Sequence, residues 1–180
     1  MSEELDALVI LAKHGDKQAF GQIYETFYKR IYRFIYYMVY DPETASDLTQ
    51  NTFLKTWKSL SSFDVQKGTL QAFIFAVARN AVIDFKRKKK NLALDTAETI
   101  PSDDDIQETL LSKEQKAVVY KTMGFLKEFE KLLIVLRYFE ELSFNEIAQV
   151  VNKEEGAVRV RVHRILKKMR QYIKEYTYEN

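Results

Sequence analysis

"SFNEIAQVVNKEEGAVRVRVHRILKKM", from Ser143 to Met169, predicts two short helices that meet at a sharp turn. The apolar residues form two stripes, the first with Phe144, Ile147, Ala148 and Val151 and the second with Val158, Val162, Ile165, Leu166 and Met169. Both stripes have the three- and four-residue spacing of an amphipathic helix. Ser143 and Glu146 have the spacing of a capping box at the start of the first helix. The pattern is typical of a helix-turn-helix.

The second helix of this motif is strongly basic. Residues 156–174 contain seven Lys and Arg and no acidic residue. If the second apolar stripe is buried, the exposed face comprises Arg159, Val160, His163, Arg164 and Lys167. In a helix-turn-helix such a face enters the major groove, where arginines reach guanine edges and an apolar side chain contacts a thymine methyl group. The alternative is a solvated basic helix, but the preceding helix and turn favour DNA recognition.

Helical patterns continue through the rest of the chain, which has only five glycines and two prolines, so we predict an all-α protein. Asp41 and Pro42 mark the end of one long helix and the start of the next, with Asp41 as the cap. The predicted helices cover about 3–14, 20–40, 43–60, 69–90, 109–127 and 128–140, before the helix-turn-helix. For the helix from 69 we expect the buried face to comprise Leu70, Phe73, Ile74, Val77, Ala81 and Phe85.

The net charge of +2 hides a strong segregation of charge along the chain. Residues 66–90 contain seven basic and one acidic residue, whereas residues 91–115 contain one basic and seven acidic residues. Residues 91–108 also lack a sustained apolar period and contain Pro101. We therefore predict two small helical domains, 1–90 and 109–180, joined by an acidic linker at 91–108. The C-terminal domain contains the helix-turn-helix.

Several classes of function are disfavoured by what the sequence lacks. There is no cysteine, and the two histidines, His14 and His163, fall in different domains, so we expect no metal site and no disulfide. Glycine-rich phosphate loops and nucleophile motifs are missing, so we expect neither an enzyme nor a cofactor. The chain has no signal peptide pattern and no apolar run near the roughly 18 residues needed to cross a membrane. A soluble cytoplasmic protein without direct membrane insertion is expected.

Three segments together resemble bacterial RNA polymerase sigma factors of the extracytoplasmic-function (ECF) type. "ASDLTQNTFLKTWKSL" (45–60) is similar to the family's segment that binds core polymerase. "GTLQAFIFAVARNAVIDFKRKKK" (68–90) is similar to its helix that reads the minus-ten element, and residues 126–169 are similar to its lobe that reads the minus-thirty-five element. The resemblance runs from about Ala19 to Arg170. It implies an initiation factor that binds core RNA polymerase and directs it to specific promoters.

The resemblance also implies functional residues, in three sets. Residues expected to contact the coiled-coil clamp helices of the polymerase are Asp47, Leu48, Gln50, Asn51 and Leu54. Residues expected at the minus-ten element are Phe63, Asp64 and Lys67, in a loop that receives a flipped base, and Arg79, Asn80, Lys86 and Arg87, which hold the melted non-template strand. For Phe63, a buried position in the core is an equally good interpretation. Residues expected at the minus-thirty-five element are Arg159, Val160, His163, Arg164 and Lys167.

The implied partners are core RNA polymerase, promoter DNA as duplex and as melted strand, and an anti-sigma factor of the kind that holds many family members inactive. The family's Gly-Thr-Val at the start of the recognition helix is Gly156-Ala157-Val158 here. This difference affects the expected promoter sequence preference and leaves the expected role unchanged. A stand-alone helix-turn-helix regulator, dimeric and binding a palindromic site, is the alternative. Under that hypothesis the polymerase-binding segment has no purpose.

Overall fold

The computed structural model describes residues 2–92 and 122–178, and these residues contain helices and loops but no β-strand. The N-terminal lobe, residues 2–92, contains α1 (Ser2–Lys13), α2 (Lys17–Val39), α3 (Pro42–Ser59), a 3₁₀ turn (Leu60–Ser62) and α4 (Leu70–Leu92). The C-terminal lobe, residues 122–178, contains α5 (Glu128–Ile134), a π turn (Val135–Phe139), α6 (Phe144–Val151) and α7 (Glu155–Tyr178). The predicted all-α class is confirmed. Most of the predicted acidic linker and of the helix at 109–127 lies outside the described residues.

Polar side chains at the N-termini set the helix boundaries. Asp16 accepts hydrogen bonds from the backbone N–H of Gln18 and Ala19 at 2.8 and 3.1 Å and so caps α2. Asp41 accepts one from Thr44 N–H at 2.8 Å and caps α3, which begins at Pro42 as predicted. These carboxylates satisfy backbone donors that have no partner inside the helix.

We expect Asp41→Ala to lower the free energy of unfolding by about 1 kcal/mol, because removing an N-cap acceptor typically costs about 0.5–2 kcal/mol. Urea denaturation followed by circular dichroism measures this loss, and Asp41→Asn, which keeps an acceptor, should lose less. The hydrogen bonds from Thr44 lower the pKa of Asp41. The stabilisation by the charged carboxylate is therefore present above the unfolded pKa, about 3.9, and disappears as the pH falls through the folded value. Equal losses for the alanine and asparagine variants would contradict the capping role.

The core of the N-terminal lobe forms where α2 packs against α3 and α4. The rings of Phe34 and Phe75 meet edge to face at 5.4 Å between centroids, and both are fully buried. Leu70, Ile74 and Ala81 are buried as predicted. The expectation for the other three α4 positions is wrong in part, since Phe73, Val77 and Phe85 are only partly buried and Phe75, Ala78 and Val82 are buried instead. Two sets of α4 positions, offset by one residue, fit the helical period equally well. Packing against Phe34 on α2 determines which of the two sets is buried.

The C-terminal lobe contains the predicted helix-turn-helix. The Ser143 hydroxyl accepts from Glu146 N–H at 3.2 Å and the Glu146 carboxylate accepts from Ser143 N–H at 2.9 Å, so the capping box is confirmed. Asn152 ends α6 in the left-handed conformation, with φ at 51°, and the chain turns sharply into α7. The single helix predicted for 128–140 is instead α5 followed by the π turn. A π turn holds more residues per turn than an α-helix, and sequence periodicity does not detect such a local change.

The two lobes pack on each other, a point that the sequence leaves open. Helix α6 lies against the start of α4, and the π turn lies against α2. The ring of Tyr37 on α2 packs on Phe139 at 4.6 Å, and the ammonium group of Lys131 lies 4.0 Å from the ring centroid of Tyr40. Apolar and charged groups both contribute to this contact.

Candidate polymerase and DNA interfaces

Helix α3 exposes four of the five side chains predicted to bind polymerase. Asp47, Gln50, Asn51 and Leu54 point to solvent, and Leu54 is 62% exposed. Leu48 differs from these four because it is buried in the core, with an exposed fraction of 9%. Leu48 therefore supports the exposed face from beneath and is not part of its surface.

An apolar groove of about 430 Å³ lies between α2 and α3 beside these residues. It is lined by Lys17, Phe20, Tyr24, Gln50, Phe53, Leu54 and Trp57. Its aromatic walls are formed by packed ring pairs, with Phe20 on Trp57 at 4.8 Å and Tyr24 on Phe53 at 4.6 Å between centroids. Burial, and secondarily the neighbouring Tyr28, raises the pKa of Tyr24, so its phenol stays neutral. The aromatic lining was missed because spacing alone marks such residues as core.

The loop between the 3₁₀ turn and α4 has an ordered structure. Phe63 is buried, 8% exposed, and its ring packs on Phe73 at 4.9 Å. The Lys13 ammonium donates to the Phe63 carbonyl at 2.7 Å, which ties the loop to α1. Asp64 accepts from Gln66 N–H at 3.0 Å and pairs with Lys67 at 3.3 Å, and these contacts lower its pKa. Asp64 and Lys67 thus shape the rim of the loop while the Phe63 ring fills its base.

Helix α4 carries the other residues predicted at the minus-ten element. Arg79 is half-buried, and its Nε is buried with no hydrogen-bond partner among the described residues. Asn80 is exposed and accepts from Arg79 at 3.3 Å, and Arg87 pairs with Asp84 at 3.0 Å one turn earlier. Lys86 instead pairs with Glu128 of the C-terminal lobe. Lys88, Lys89 and Lys90 are exposed at the end of the helix.

Helix α7 has two basic faces with different surroundings. Arg159, Val160, His163, Arg164 and Lys167 are predicted to face outward, and all five are exposed. On another side of the helix Arg161 and Lys168 pair with Glu130 of α5 at 3.3 and 3.1 Å. These two cations hold the lobe together and so are less available to a partner.

Phe144 orders two arginines at the start of the helix-turn-helix. The guanidinium of Arg137 lies 4.7 Å from its ring centroid, and that of Arg159 lies 5.1 Å from it. Glu155 also pairs with Arg159 at 2.5 Å. The sequence analysis assigned Phe144 to the apolar stripe and carried no signal for this stacking, because its two arginine partners lie on two other segments, the π turn and α7. The consequence is that Arg159 is held in place before any ligand arrives.

Two chemical properties are absent from the described residues. No group of His, Asp and Glu side chains there is arranged to hold a metal ion. None of the helices within 2–92 and 122–178 is both long and apolar enough to span a membrane.

Comparisons with known proteins agree with this arrangement. The family model for sigma-70 region 2 matches residues 23–92, and that for sigma-70 region 4 matches residues 123–171. The ECF RNA polymerase sigma factor BldN of Streptomyces coelicolor is 29% identical over 170 residues, which cover 92% of this chain but only 64% of the relative. The ECF RNA polymerase sigma factor SigW of Bacillus subtilis is 29% identical over 175 residues, which cover 91% of this chain and 93% of the relative.

A solved structure shares the fold. The sigma factor RpoE from Bartonella quintana, in complex with the anti-sigma factor NepR, superposes with a TM-score of 0.72 over 86% of this chain and 96% of that chain. The two sequences are 21% identical over this match.

Proposed function

The chain belongs to the sigma-70 family of RNA polymerase sigma factors, in its ECF group, and on that premise we propose which of its surfaces meets polymerase and which meet promoter DNA. It is a transcription initiation factor that binds core RNA polymerase and directs it to specific promoters, and it is not an enzyme. The regulator alternative is not favoured, because the region 2 match covers most of the N-terminal lobe. The remaining question is the role of each side chain.

The exposed face of α3 is the proposed docking site for the coiled-coil clamp helices of polymerase. The observation that carries this proposal is the groove beside Gln50 and Leu54, which offers apolar area next to exposed polar groups. Interfaces of this composition, with aromatic walls and a polar rim, bind protein partners. Without such a site the basic helices alone would suit any DNA-binding protein.

Helix α4 and the loop before it are the proposed site for the melted minus-ten strand. Arg79 and the exposed Asn80, which accepts a hydrogen bond from it, supply polar groups on this helix that could contact the strand. Lys86, Arg87 and the exposed Lys88–Lys90 run add positive charge along the same helix. Single-stranded DNA is held by such basic surfaces. We assign the Phe63 ring the role of shaping the loop, given its packing on Phe73.

The outward face of α7 is the proposed site for the minus-thirty-five duplex. Arg159 and Arg164 are exposed and are proposed to reach guanine edges, and the half-exposed Val160 is proposed to contact an apolar base edge. Each lobe alone would bind DNA weakly. Once both lobes are mounted on polymerase, the second contact becomes intramolecular and the combined affinity rises.

We also propose the setting in which the protein acts. A factor that binds core polymerase acts in the bacterial cytoplasm. The RpoE structure is a complex with an anti-sigma factor, and we propose a partner of the same class for this chain. Residues 91–108, with their excess of acidic groups, are proposed as the linker between the two domains.

Run-off transcription on genomic fragments tests the function as a whole. Core polymerase with the purified chain should start at defined sites, which core polymerase alone does not use. Mapping of those start sites would also give the promoter consensus. If the chain does not co-purify with core polymerase in a pull-down, the proposed function is wrong.

The lysine run at the end of α4 gives a separate prediction. Changing Lys88, Lys89 and Lys90 to glutamine should weaken promoter binding by the holoenzyme on all sequences alike. It should also flatten the plot of log affinity against log salt by about 0.7 for each phosphate that is no longer neutralised. Fluorescence anisotropy over a salt series measures this slope, and Lys29→Gln, an exposed change on α2, is the control. An unchanged slope in the triple variant would rule out phosphate binding by the run.

A further inference from the structure

Glu140 lies at the centre of the contact between the two lobes. Its side chain is fully buried, and its carboxylate accepts from Arg33 Nε at 2.8 Å, from Arg33 Nη2 at 3.0 Å and from Arg30 Nε at 3.4 Å. Arg30 and Arg33 also donate to the backbone carbonyls of Glu140 and Phe139. Burial raises the pKa of Glu140 while both arginines oppose this shift, so its charged form depends on them. Both arginines belong to α2 of the N-terminal lobe.

Two more carboxylates of the C-terminal lobe contact the N-terminal lobe. Glu146 on α6 accepts from the Thr69 hydroxyl at 2.9 Å and from the Gln71 amide at 3.3 Å. Glu128 on α5 pairs with Lys86. The pattern is one-sided, because in all three cases the acid comes from the C-terminal lobe and the donors come from the N-terminal lobe.

The donors at Thr69, Gln71 and Lys86 lie on the surface proposed for the melted strand. Carboxylates that accept from such donors occupy positions where a DNA strand would place its own acceptors. The approach is also close in space, since a Cβ added at Gly68 would lie 2.6 Å from the side-chain oxygen of Gln149 on α6. The start of α4 therefore cannot hold a nucleotide strand while α6 is packed against it.

The spacing of the two promoter elements leads to the same conclusion. Elements at minus ten and minus thirty-five are about 25 base pairs apart, which is about 85 Å of duplex at about 3.4 Å per base pair. In this structure α4 and α6 are in direct contact. The packed chain thus cannot engage both elements, and its lobes must separate before it acts.

From these contacts we propose that Glu140, held by Arg30 and Arg33, latches the two lobes in a closed state that shields the minus-ten surface, so that the free chain inhibits its own DNA binding. Opening exposes Thr69, Gln71 and Lys86 to DNA, and polymerase favours the open state because it binds the lobes apart. The proposal rests on the function given above, of which it is a regulatory part. The latch is built into the chain and needs no second protein.

Glu140→Gln tests the latch, because it keeps the shape of the side chain and leaves two arginines without their buried counter-charge. We expect the lobes to separate, seen as a larger radius of gyration in small-angle X-ray scattering. We also expect the free variant to bind short single-stranded DNA of random sequence at least about tenfold more tightly, since apparent affinity scales with the open fraction. Glu141→Gln is the matched control, an identical change at an exposed neighbour, and should behave as the wild type.

A second pair of variants separates the latch from damage to the C-terminal lobe. Arg33→Gln should open the chain in the same way, although it leaves the C-terminal lobe unchanged. The charge swap Arg33→Glu with Glu140→Arg should restore the closed radius and the weak DNA binding, which a misfolded lobe would not do. The latch is refuted if Glu140→Gln and Arg33→Gln both stay closed, or if they open without binding DNA more tightly.

Polymerase binding is measured separately on the same variants. Open variants that bind DNA more tightly while no form of the chain binds core polymerase would support the latch and overturn the proposed function. If the chain binds core polymerase but the variants stay closed, the proposed function is supported and the latch is overturned.

Discussion

Replacing Leu54 with aspartate is expected to weaken binding to core RNA polymerase by about 30-fold or more. The side chain is exposed at the edge of the α3 groove, so the change puts a charge on an apolar contact surface without disturbing the core. Hot-spot residues of an interface contribute at least about 2 kcal/mol when truncated, and an unpaired charge in place of an apolar contact adds a desolvation cost. Biolayer interferometry with immobilised core polymerase measures the loss.

Leu11→Asp is the matched control for this result. Leu11 on α1 is a leucine of similar exposure, at 50%, and does not line the groove. It should leave polymerase binding within about twofold of the wild type. Equal losses for both variants would mean that the effect comes from general destabilisation, and normal binding by the Leu54 variant would place the docking site elsewhere.

The second large effect is expected at the recognition helix. Arg164→Ala should reduce holoenzyme affinity for a cognate promoter by about 1–3 kcal/mol, which is about 5- to 150-fold, if Arg164 contacts a guanine edge. Arg164 is exposed on α7, whereas Arg161 on the same helix is engaged in an ion pair with Glu130. Gel-shift titrations on cognate and scrambled upstream elements compare the two DNA contexts.

The scrambled promoter separates base recognition from phosphate binding. A base-reading arginine has no effect when the upstream element is scrambled, because the wild type then makes no specific contact that the substitution could remove. An equal reduction on both promoters would reassign Arg164 to the phosphate backbone. Arg159 is already ordered by Phe144 and Glu155. The corresponding Arg159→Ala variant therefore also tests how much this ordering contributes to promoter affinity.

Local signals in the sequence predicted local structure well. The Asp41 cap, the capping box of Ser143 and Glu146 and the outward face of α7 each depend on residues within one or two helical turns. Their outcome is fixed by backbone hydrogen bonds and helix geometry, which hardly depend on the rest of the fold.

Features that depend on distant residues were not predicted. Leu48 is buried because neighbouring elements cover it, and packing against Phe34 on α2 determines which stripe of α4 is buried. The ion cluster at Glu140 joins residues more than 100 positions apart in the chain. Periodicity carries no information about such pairs. The assignment of the exposed residues to DNA and to polymerase stays a prediction.

The chain contains a single tryptophan, Trp57, and that residue forms part of the α3 groove wall beside Phe20. Indole fluorescence responds to the polarity around the ring, and excitation at the red edge avoids the 11 tyrosines. The protein therefore carries an intrinsic optical reporter at this position. A peptide that lacks tryptophan and enters the groove would shift its emission, with no dye attached.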